Sequence, residues 1–192
     1  MCIPARDMGG GLGITYNAET PPGPDEYARA IVETAKTRSL KLILEPGRVI
    51  VGNAGILVTR VLYRKPGKDK EFVIADAGMN DLLRPSLYKA FHAVKPVQQR
   101  AAGSITADLV GPICESGDFL ASERVMADVT TGDLLAVMSA GAYAYTMSSN
   151  YCSRLKVPEV MVKAAEFSVV RERQQYEDLI RGESIPPFLD AN

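Results

Sequence analysis

The segment from Leu40 to Val51, L-K-L-I-L-E-P-G-R-V-I-V, limits the possible folds of this chain more than any other stretch. Its apolar run predicts a buried strand, and the amphipathic residues 25–39 before it predict a helix that leads into that strand. Glu-Pro-Gly-Arg then places an acid, a fixed φ, a permissive glycine and a guanidinium at the end of the run. Taken alone these four residues fit an ordinary turn, but the neighbouring motifs favour a ligand-binding strand end.

A glycine cluster, Gly9, Gly10 and Gly11, comes shortly before the predicted helix. Glycines let backbone N–H groups approach an anion closely, although a structural turn is the alternative interpretation. A glycine loop, a helix and a strand that ends in charged residues are typical of the last part of an α/β barrel, where ligands gather at the carboxyl ends of strands. We therefore predict that residues 1–48 form the end of a TIM-like α/β barrel, its last βα units.

After residue 48 the sequence becomes β-rich with short breaks, which predicts a mostly β C-terminal domain over residues 49–192, a sandwich or small barrel. Three interruptions predict helices, at 84–94, 142–151 and 173–181, and residues 185–192 are expected to be a frayed tail. Strands are predicted at 50–64, 71–75, 104–110, 123–129, 133–139, 159–162 and 167–171.

The charge, the apolar runs and the cysteine spacing argue against several classes of partner and site. The 192 residues carry a formal net charge of −1, with basic side chains scattered among acids, so nucleic acid is not indicated. No apolar run approaches the ~20 residues of a membrane span, and the N-terminus lacks the apolar region of a signal peptide. Cys2, Cys114 and Cys152 lack Cys-x-x-Cys spacing, which favours reduced thiols over a disulfide or zinc site. We expect a cytoplasmic protein with no membrane partner and no metal site.

The densest chemistry lies in a predicted loop between Pro112 and Gly117. Cys114 and Glu115 place a thiol beside a carboxylate, and the flanking proline and glycine favour their presentation on a loop. A thiol in such a loop could give or take a proton. An inert, buried cysteine is the alternative.

Three further side chains suggest binding roles, and the single histidine does not. Arg84 and Tyr88 are four residues apart and would share a helix face that could hold a carboxylate, unless the arginine merely stacks on the tyrosine at the surface. Tyr143 could direct its hydroxyl at a phosphate or pack at a sheet edge. His92 is the only histidine, which excludes sites built from several histidines within this chain. We expect His92 on a helix face and not as a catalyst.

Together these motifs closely resemble those of the diaminopimelate decarboxylases, which belong to the alanine-racemase-like (fold type III) pyridoxal-phosphate-dependent decarboxylases. The resemblance covers nearly the whole chain, from Asp7 to Leu179, in the order of the family. It rests on D-M-G-G-G-L-G-I, L-E-P-G-R, D-A-G-M-N-D-L-x-R-P-x-L-Y, D-L-V-G-P-I-C-E-S-G-D-F-L-A and A-G-A-Y-x-x-x-M-S-S-N-Y.

The resemblance implies decarboxylation of meso-2,6-diaminopimelate to L-lysine, with pyridoxal 5′-phosphate as cofactor. Cys114 would deliver the proton that replaces the carboxylate, and Glu115 would recognise the distal ammonium of the substrate. A homodimer is implied, because in this family the Cys-Glu loop enters the site of the partner subunit. The cofactor would be bound by Gly9, Gly10, Gly11, Glu45, Gly47, Arg48 and Tyr143. Substrate contacts would come from Arg48, Arg84, Tyr88, Glu115 and Tyr143.

One departure from the family limits these expectations. The cofactor-binding lysine, the ring-stacking histidine and most barrel strands of the family precede its glycine triplet, and none of the nine lysines here matches that lysine. Cys152 also stands where the family often has asparagine. We expect this chain to be the C-terminal part of such an enzyme and inactive alone. The alternative is a catalytically dead binding or regulatory homologue that uses its β-domain to dimerise.

Overall fold

The first three elements form one α/β unit. The computed structural model describes residues 5–36, 40–68, 70–99 and 103–189, except for the side chain of Thr34. Strand β1 (Ala5–Asp7) and strand β2 (Lys41–Ile43) pair in parallel and are connected by helix α1 (Pro24–Lys36). Parallel strands joined by a helix end on the same side of the unit, as in an α/β barrel.

Helix α1 begins and ends as its sequence predicts. Pro24 occupies the first helical position, the first turn is acidic and Lys36 lies in the last turn, all of which favour a helix with this direction of dipole. The hydroxyl of Tyr27 donates a 3.1 Å hydrogen bond to the carbonyl of Gly10, so the helix packs on the glycine loop. The predicted last residues of the helix, 37–39, lie outside the described residues.

The strand predicted from the apolar run before Glu-Pro-Gly-Arg is present, but it is not buried, since Lys41 and Ile43 are both exposed. Only Lys41–Ile43 is strand, while helix α2 (Arg48–Val51) and a 3-10 turn (Gly52–Ala54) follow the Glu-Pro-Gly-Arg loop. The predicted strand at 50–64 is therefore wrong at its start.

Tertiary hydrogen bonds explain this helical segment. The run Val49, Ile50 and Val51 favours a strand by propensity. However, the backbone N–H groups of Ala140 and Gly141 bind the carbonyl groups of residues 55 and 52, at 2.8 and 3.1 Å. The chain must turn to bring both carbonyls to these donors, so contacts far apart in sequence outweigh the local preference.

A six-stranded sheet forms the centre of the C-terminal part. Its strands are β3 (Leu57–Pro66), β4 (Glu71–Ala75), β5 (Val94–Pro96), β6 (Ser104–Val110), β7 (Phe119–Ala127) and β8 (Leu134–Val137). Their order in the sheet is β5-β8-β3-β4-β6-β7, and all neighbouring pairs are antiparallel except β4 and β6. The two edge strands, β5 and β7, also approach each other, so the sheet curls towards a closed barrel.

The core lies inside this curled sheet. Alternate residues of its strands point inwards, as the period-2 pattern requires. β4 and β6 have the predicted bounds, whereas β7 begins four residues earlier than predicted. The prediction of a barrel end followed by a mostly β domain is thus confirmed. The most deeply buried apolar side chains are Val61, Val73, Leu82, Leu109, Leu120, Leu135 and Val137.

The predicted helices of the β domain are shorter than expected. Helix α3 covers only Arg84–Tyr88, because Lys89 adopts a left-handed φ of 52° that ends the helix. Residues 141–147 form turns, residues 148–150 are irregular, and a 3-10 turn follows at Tyr151–Ser153. Helix α4 covers only Tyr176–Leu179. In the predicted tail, Pro187–Leu189 form a 3-10 turn, and residues 190–192 lie outside the described residues.

A separate antiparallel hairpin follows the sheet. It consists of β9 (Glu159–Lys163) and β10 (Glu166–Arg171), which pair only with each other among the described strands. Within the ranges that the structure describes, no helix has the length and apolar character needed to cross a membrane.

Candidate active site

Two loops meet at the carboxyl ends of β1 and β2. The backbone N–H of Glu45 donates a 2.8 Å hydrogen bond to the carbonyl of Gly9, which joins the loops directly. A Cβ on Gly10 would overlap the carbonyl oxygen of Glu45, so the loops approach this closely only because residue 10 is glycine. Gly9 and Gly11 have left-handed φ angles of 66° and 96° and open space where a side chain would stand. The result is a concave backbone surface suited to a compact anion.

Two arginines lie beside these loops and share two aromatic neighbours. The guanidinium carbon of Arg48 is 5.8 Å from the ring centroid of Tyr16 and 5.7 Å from that of Tyr143. The guanidinium carbon of Arg84 is 4.7 Å and 6.0 Å from the same two centroids. In the described part of the chain, no carboxylate lies within ion-pair distance of either guanidinium. We call these four residues the arginine–tyrosine cluster, and its charge is available to an anion.

Tyr143 connects the cluster to the loops. It follows β8 with a left-handed φ of 71°, and its hydroxyl lies 3.9 Å from the position of a Cβ on Gly47. A left-handed φ is unfavourable for a tyrosine, so the surrounding contacts must hold it. The phenol thus borders both the Glu45–Gly47 loop and the guanidinium of Arg48.

His92 does not lie on a helix, contrary to expectation. Helix α3 ends before it, and the imidazole is completely buried between Arg84 and the end of β8. Its Nε2 is 3.1 Å from Nη1 of Arg84, and its Nδ1 is 2.8 Å from the carbonyl oxygen of Met138. Burial lowers the pKa of His92, and the nearby guanidiniums of Arg84 and Arg124 lower it further against the opposing effect of the carbonyl.

The structure does not bring Arg84 and Tyr88 together. Arg84 is buried with its guanidinium turned to the imidazole of His92, whereas Tyr88 is 63% exposed. Among the described residues, the hydroxyl of Tyr88 makes no hydrogen bond. In this chain by itself, the two side chains do not form one carboxylate site.

The Cys114–Glu115 loop is held by a buried acid that the sequence did not single out. The carboxylate of Asp118 accepts 2.6 Å hydrogen bonds from the backbone N–H groups of Met79 and Ile113. Burial raises the pKa of Asp118, although these two bonds favour its ionised form. Both Cys114 and Glu115 remain exposed on the outside of this loop.

Tyr151 is the one described residue that binds the Glu115 side chain from another part of the chain. The phenol donates a 3.2 Å hydrogen bond to Oε2 of Glu115, which raises the pKa of Tyr151. Cys152 follows with a left-handed φ of 54° and is also exposed. Among the described contacts, none joins Cys114 or Glu115 to the arginine–tyrosine cluster.

The chain matches known proteins over most of its length. A family model described as the C-terminal sheet domain of pyridoxal-dependent decarboxylases matches residues 15–141. A diaminopimelate decarboxylase of Pseudomonas aeruginosa is 52% identical over 181 residues, which cover 94% of this chain and 43% of the relative. One of Vibrio cholerae is 49% identical over 182 residues, with 94% and 43% covered.

Solved structures give the same result. The crystal structure of diaminopimelate decarboxylase from Helicobacter pylori complexed with L-lysine matches with a TM-score of 0.84 and 42% identity, covering 91% of this chain and 43% of that one. The chain therefore spans less than half the length of these relatives. The resemblance drawn from the motifs is confirmed, and the chain belongs to the pyridoxal-dependent decarboxylases, through their C-terminal sheet domain.

Proposed function

We propose that this chain is the C-terminal part of a diaminopimelate decarboxylase, which converts meso-2,6-diaminopimelate to L-lysine and CO2. The observation that carries the proposal is the arginine–tyrosine cluster beside the glycine loop. Among the described residues, no carboxylate pairs with Arg48 or Arg84, whose guanidiniums lie beside the two tyrosines. A substrate with two carboxylates would supply such a partner. Relatives that cover nearly the whole chain bear the name of this enzyme.

The residues present fit the pyridoxal 5′-phosphate of this family. The open, glycine-lined surface at Gly9 and Gly11 has room for a phosphate, and the hydroxyl of Tyr143 lies near Gly47 in the adjoining loop. Glu45 is exposed at the same strand end and would pair with the protonated pyridine nitrogen. When bound, the cofactor supplies an electron sink for the electron pair released as CO2 leaves.

Each remaining side chain has a proposed task at the substrate. Arg48 and Arg84 bind carboxylate oxygens through those guanidinium N–H groups that make no hydrogen bond to a described residue. Tyr88 adds its phenol hydroxyl from the exposed end of α3. Glu115 binds the distal ammonium. Cys114 donates its thiol proton to the carbon that has lost CO2, so that a C–H bond replaces the broken C–C bond.

The position of the Cys114–Glu115 loop supports a homodimer. The loop has a defined shape but, among described contacts, reaches no residue of the arginine–tyrosine cluster. We propose that it completes the site of a second copy and that the enzyme is cytoplasmic. The boundary between a barrel end at residues 1–48 and a β-domain at 49–192 belongs to the same proposal.

The test compares the chain alone with a reconstituted enzyme. CO2 release from meso-diaminopimelate is measured with pyridoxal phosphate for the chain, for a separately expressed N-terminal barrel segment of the Pseudomonas aeruginosa relative, and for their mixture. We expect turnover only in the mixture. Turnover by the chain alone would contradict its proposed dependence on the missing segment. A folded mixture that binds cofactor and substrate without turnover would favour a catalytically dead homologue.

A further inference from the structure

His92 makes two hydrogen bonds that together determine where its proton lies. The guanidinium of Arg84 can only donate, so the Nε2 atom of His92, 3.1 Å away, must accept. The carbonyl of Met138 can only accept, so Nδ1, 2.8 Å away, must carry the proton. The two contacts therefore select the neutral Nδ1–H tautomer.

The surroundings keep the imidazole in this state. Apart from Arg84, the charged and titratable described groups that face His92 are Arg124, which donates a 2.7 Å hydrogen bond to its carbonyl, and Tyr16, whose ring stands edge-on at 5.1 Å. Both guanidiniums oppose a second proton on the imidazole, and so does complete burial. At neutral pH the Nε2 lone pair thus remains available to Arg84.

We propose that His92 is a positioning residue that holds the Arg84 guanidinium with its remaining N–H groups towards the substrate carboxylate. This inference rests on the proposed function. A free arginine side chain loses rotamer freedom when it binds, so an arginine that is already oriented binds an anion at lower entropic cost. The ring centroids of Tyr16 and Tyr143 lie 4.7 Å and 6.0 Å from the carbon of the same guanidinium.

It matters for this role that the group accepting the hydrogen bond of Arg84, the imidazole of His92, is neutral. A carboxylate at this position would orient Arg84 equally well, but it would also neutralise the charge that attracts the substrate. Neutral imidazole orients the guanidinium and leaves its full positive charge for the ligand. Protonation would turn Nε2 into a donor that faces the N–H of Arg84, so the pair should come apart in acid.

The first experiment measures the tautomer in the chain itself. Because the chain has a single histidine, its imidazole ¹H–¹⁵N signals need no assignment. We expect the neutral Nδ1–H tautomer at pH 7 in the wild type. In Arg84→Lys the ¹⁵N shift of Nε2 should change, while that of Nδ1 stays constant. An Nε2–H tautomer or an imidazolium at pH 7 would overturn the proposal.

The second experiment separates the two hydrogen bonds by substitution. His92→Gln keeps an acceptor near the position of Nε2, and His92→Asn keeps a donor near that of Nδ1. Calorimetric titration of the reconstituted, cofactor-free enzyme with meso-diaminopimelate should show about tenfold weaker binding in His92→Asn, because Arg84 loses the acceptor that orients its guanidinium. His92→Gln should retain most of the affinity. Circular dichroism checks that both variants fold.

The outcomes distinguish this inference from the function on which it rests. Equal affinity loss in both variants would show that His92 supports the fold only, and no loss in either would also overturn its positioning role. The Nδ1–H tautomer in the chain, together with no affinity of the reconstituted wild-type enzyme for meso-diaminopimelate, would contradict the proposed function and leave the His92–Arg84 pairing supported.

Discussion

Asp118 and Glu115 belong to the same loop, yet their surroundings assign them different tasks. Asp118 is buried and accepts two backbone N–H groups, so it stabilises the shape of the loop. Glu115 is exposed and binds only the hydroxyl of Tyr151 from outside the loop, so its carboxylate can still bind another group. At the residue scale, burial and hydrogen-bond partners therefore separate a structural acid from a proposed binding acid.

The substitution Asp118→Asn should loosen this loop. An amide offers one acceptor oxygen, and its NH2 group would face the N–H of Met79 or Ile113, so one buried donor loses its partner. We expect the free energy of unfolding to fall by about 1–3 kcal/mol, measured by urea denaturation. The control Asp25→Asn, on the exposed first turn of α1, should change it by less than about 0.5 kcal/mol. Equal effects in both variants would contradict the structural role of Asp118.

The loops after β1 and β2 act as one unit at the element scale. Parallel pairing brings their carboxyl ends to the same side, and the hydrogen bond from Glu45 to Gly9 joins them. Helix α1 adds the bond from Tyr27 to Gly10. Three short elements thus support one concave surface, and its shape depends on the space at a single glycine.

Gly10→Ala tests this dependence. Because the added Cβ would overlap the carbonyl oxygen of Glu45, the loops must separate, and we expect a loss of about 1–3 kcal/mol in stability. In the reconstituted enzyme, pyridoxal phosphate, titrated by its absorbance, should bind at least about tenfold more weakly. Gly23→Ala is the matched control, since a Cβ there meets no atom within 4 Å. If Gly10→Ala bound the cofactor like wild type, the phosphate would have to lie elsewhere.

At the scale of the whole molecule, the proposed site divides into two groups of residues. The glycine loop, Glu45 and the arginine–tyrosine cluster lie together at the junction of the α/β unit with the end of β8. The Cys114–Glu115 loop lies apart from them, packed on the turn at Gly78 and Met79. A second copy of the chain would reunite the two groups, which makes the dimer part of the proposed mechanism.

Hybrid dimers test this arrangement in the reconstituted enzyme. A Cys114→Ala subunit and an Arg84→Lys subunit each lack one group, and their hybrid should contain one intact site. Random mixing makes half of the dimers hybrid, so the activity should return to roughly a quarter of wild type. Mixing Cys114→Ala with Glu115→Gln is the control, because both changes affect the same loop and no site becomes intact. Recovery in the control alone, or in neither mixture, would contradict a shared site.

The stability of the whole chain should also depend on pH through its only histidine. The pKa of His92 is lowered in the folded state, so below its ordinary value of 6.5 the unfolded chain takes up the proton first. Stability is therefore fully present above pH 6.5 and decreases as the pH falls towards the folded pKa. His92→Gln should flatten this slope, measured by urea denaturation between pH 5.5 and 7.5. An unchanged slope in the variant would assign the effect to other groups.

The sequence alone determined the elements with strong local signals and the family. Helix α1 follows from its proline, acidic start and amphipathic period, and strands β4 and β6 follow from apolar runs bounded by turn residues. The ordered motifs from the glycine triplet to Cys114 predicted the resemblance that the comparisons confirm. These features depend on residues close together in the chain, so local physical chemistry predicts them. The residue roles taken from the resemblance stay predictions.

Tertiary structure decided the rest, because the deciding contacts join residues far apart in sequence. Hydrogen bonds from Ala140 and Gly141 hold the residues directly after Arg48–Val51, which is helical despite its β-branched residues. His92, expected on a helix face, is instead buried beside Arg84 and bonded to the carbonyl of Met138. The fold also places the ring of Tyr16 beside both Arg48 and Arg84. No periodicity in the sequence encodes such pairings. They exist only once the curled sheet brings its loops together.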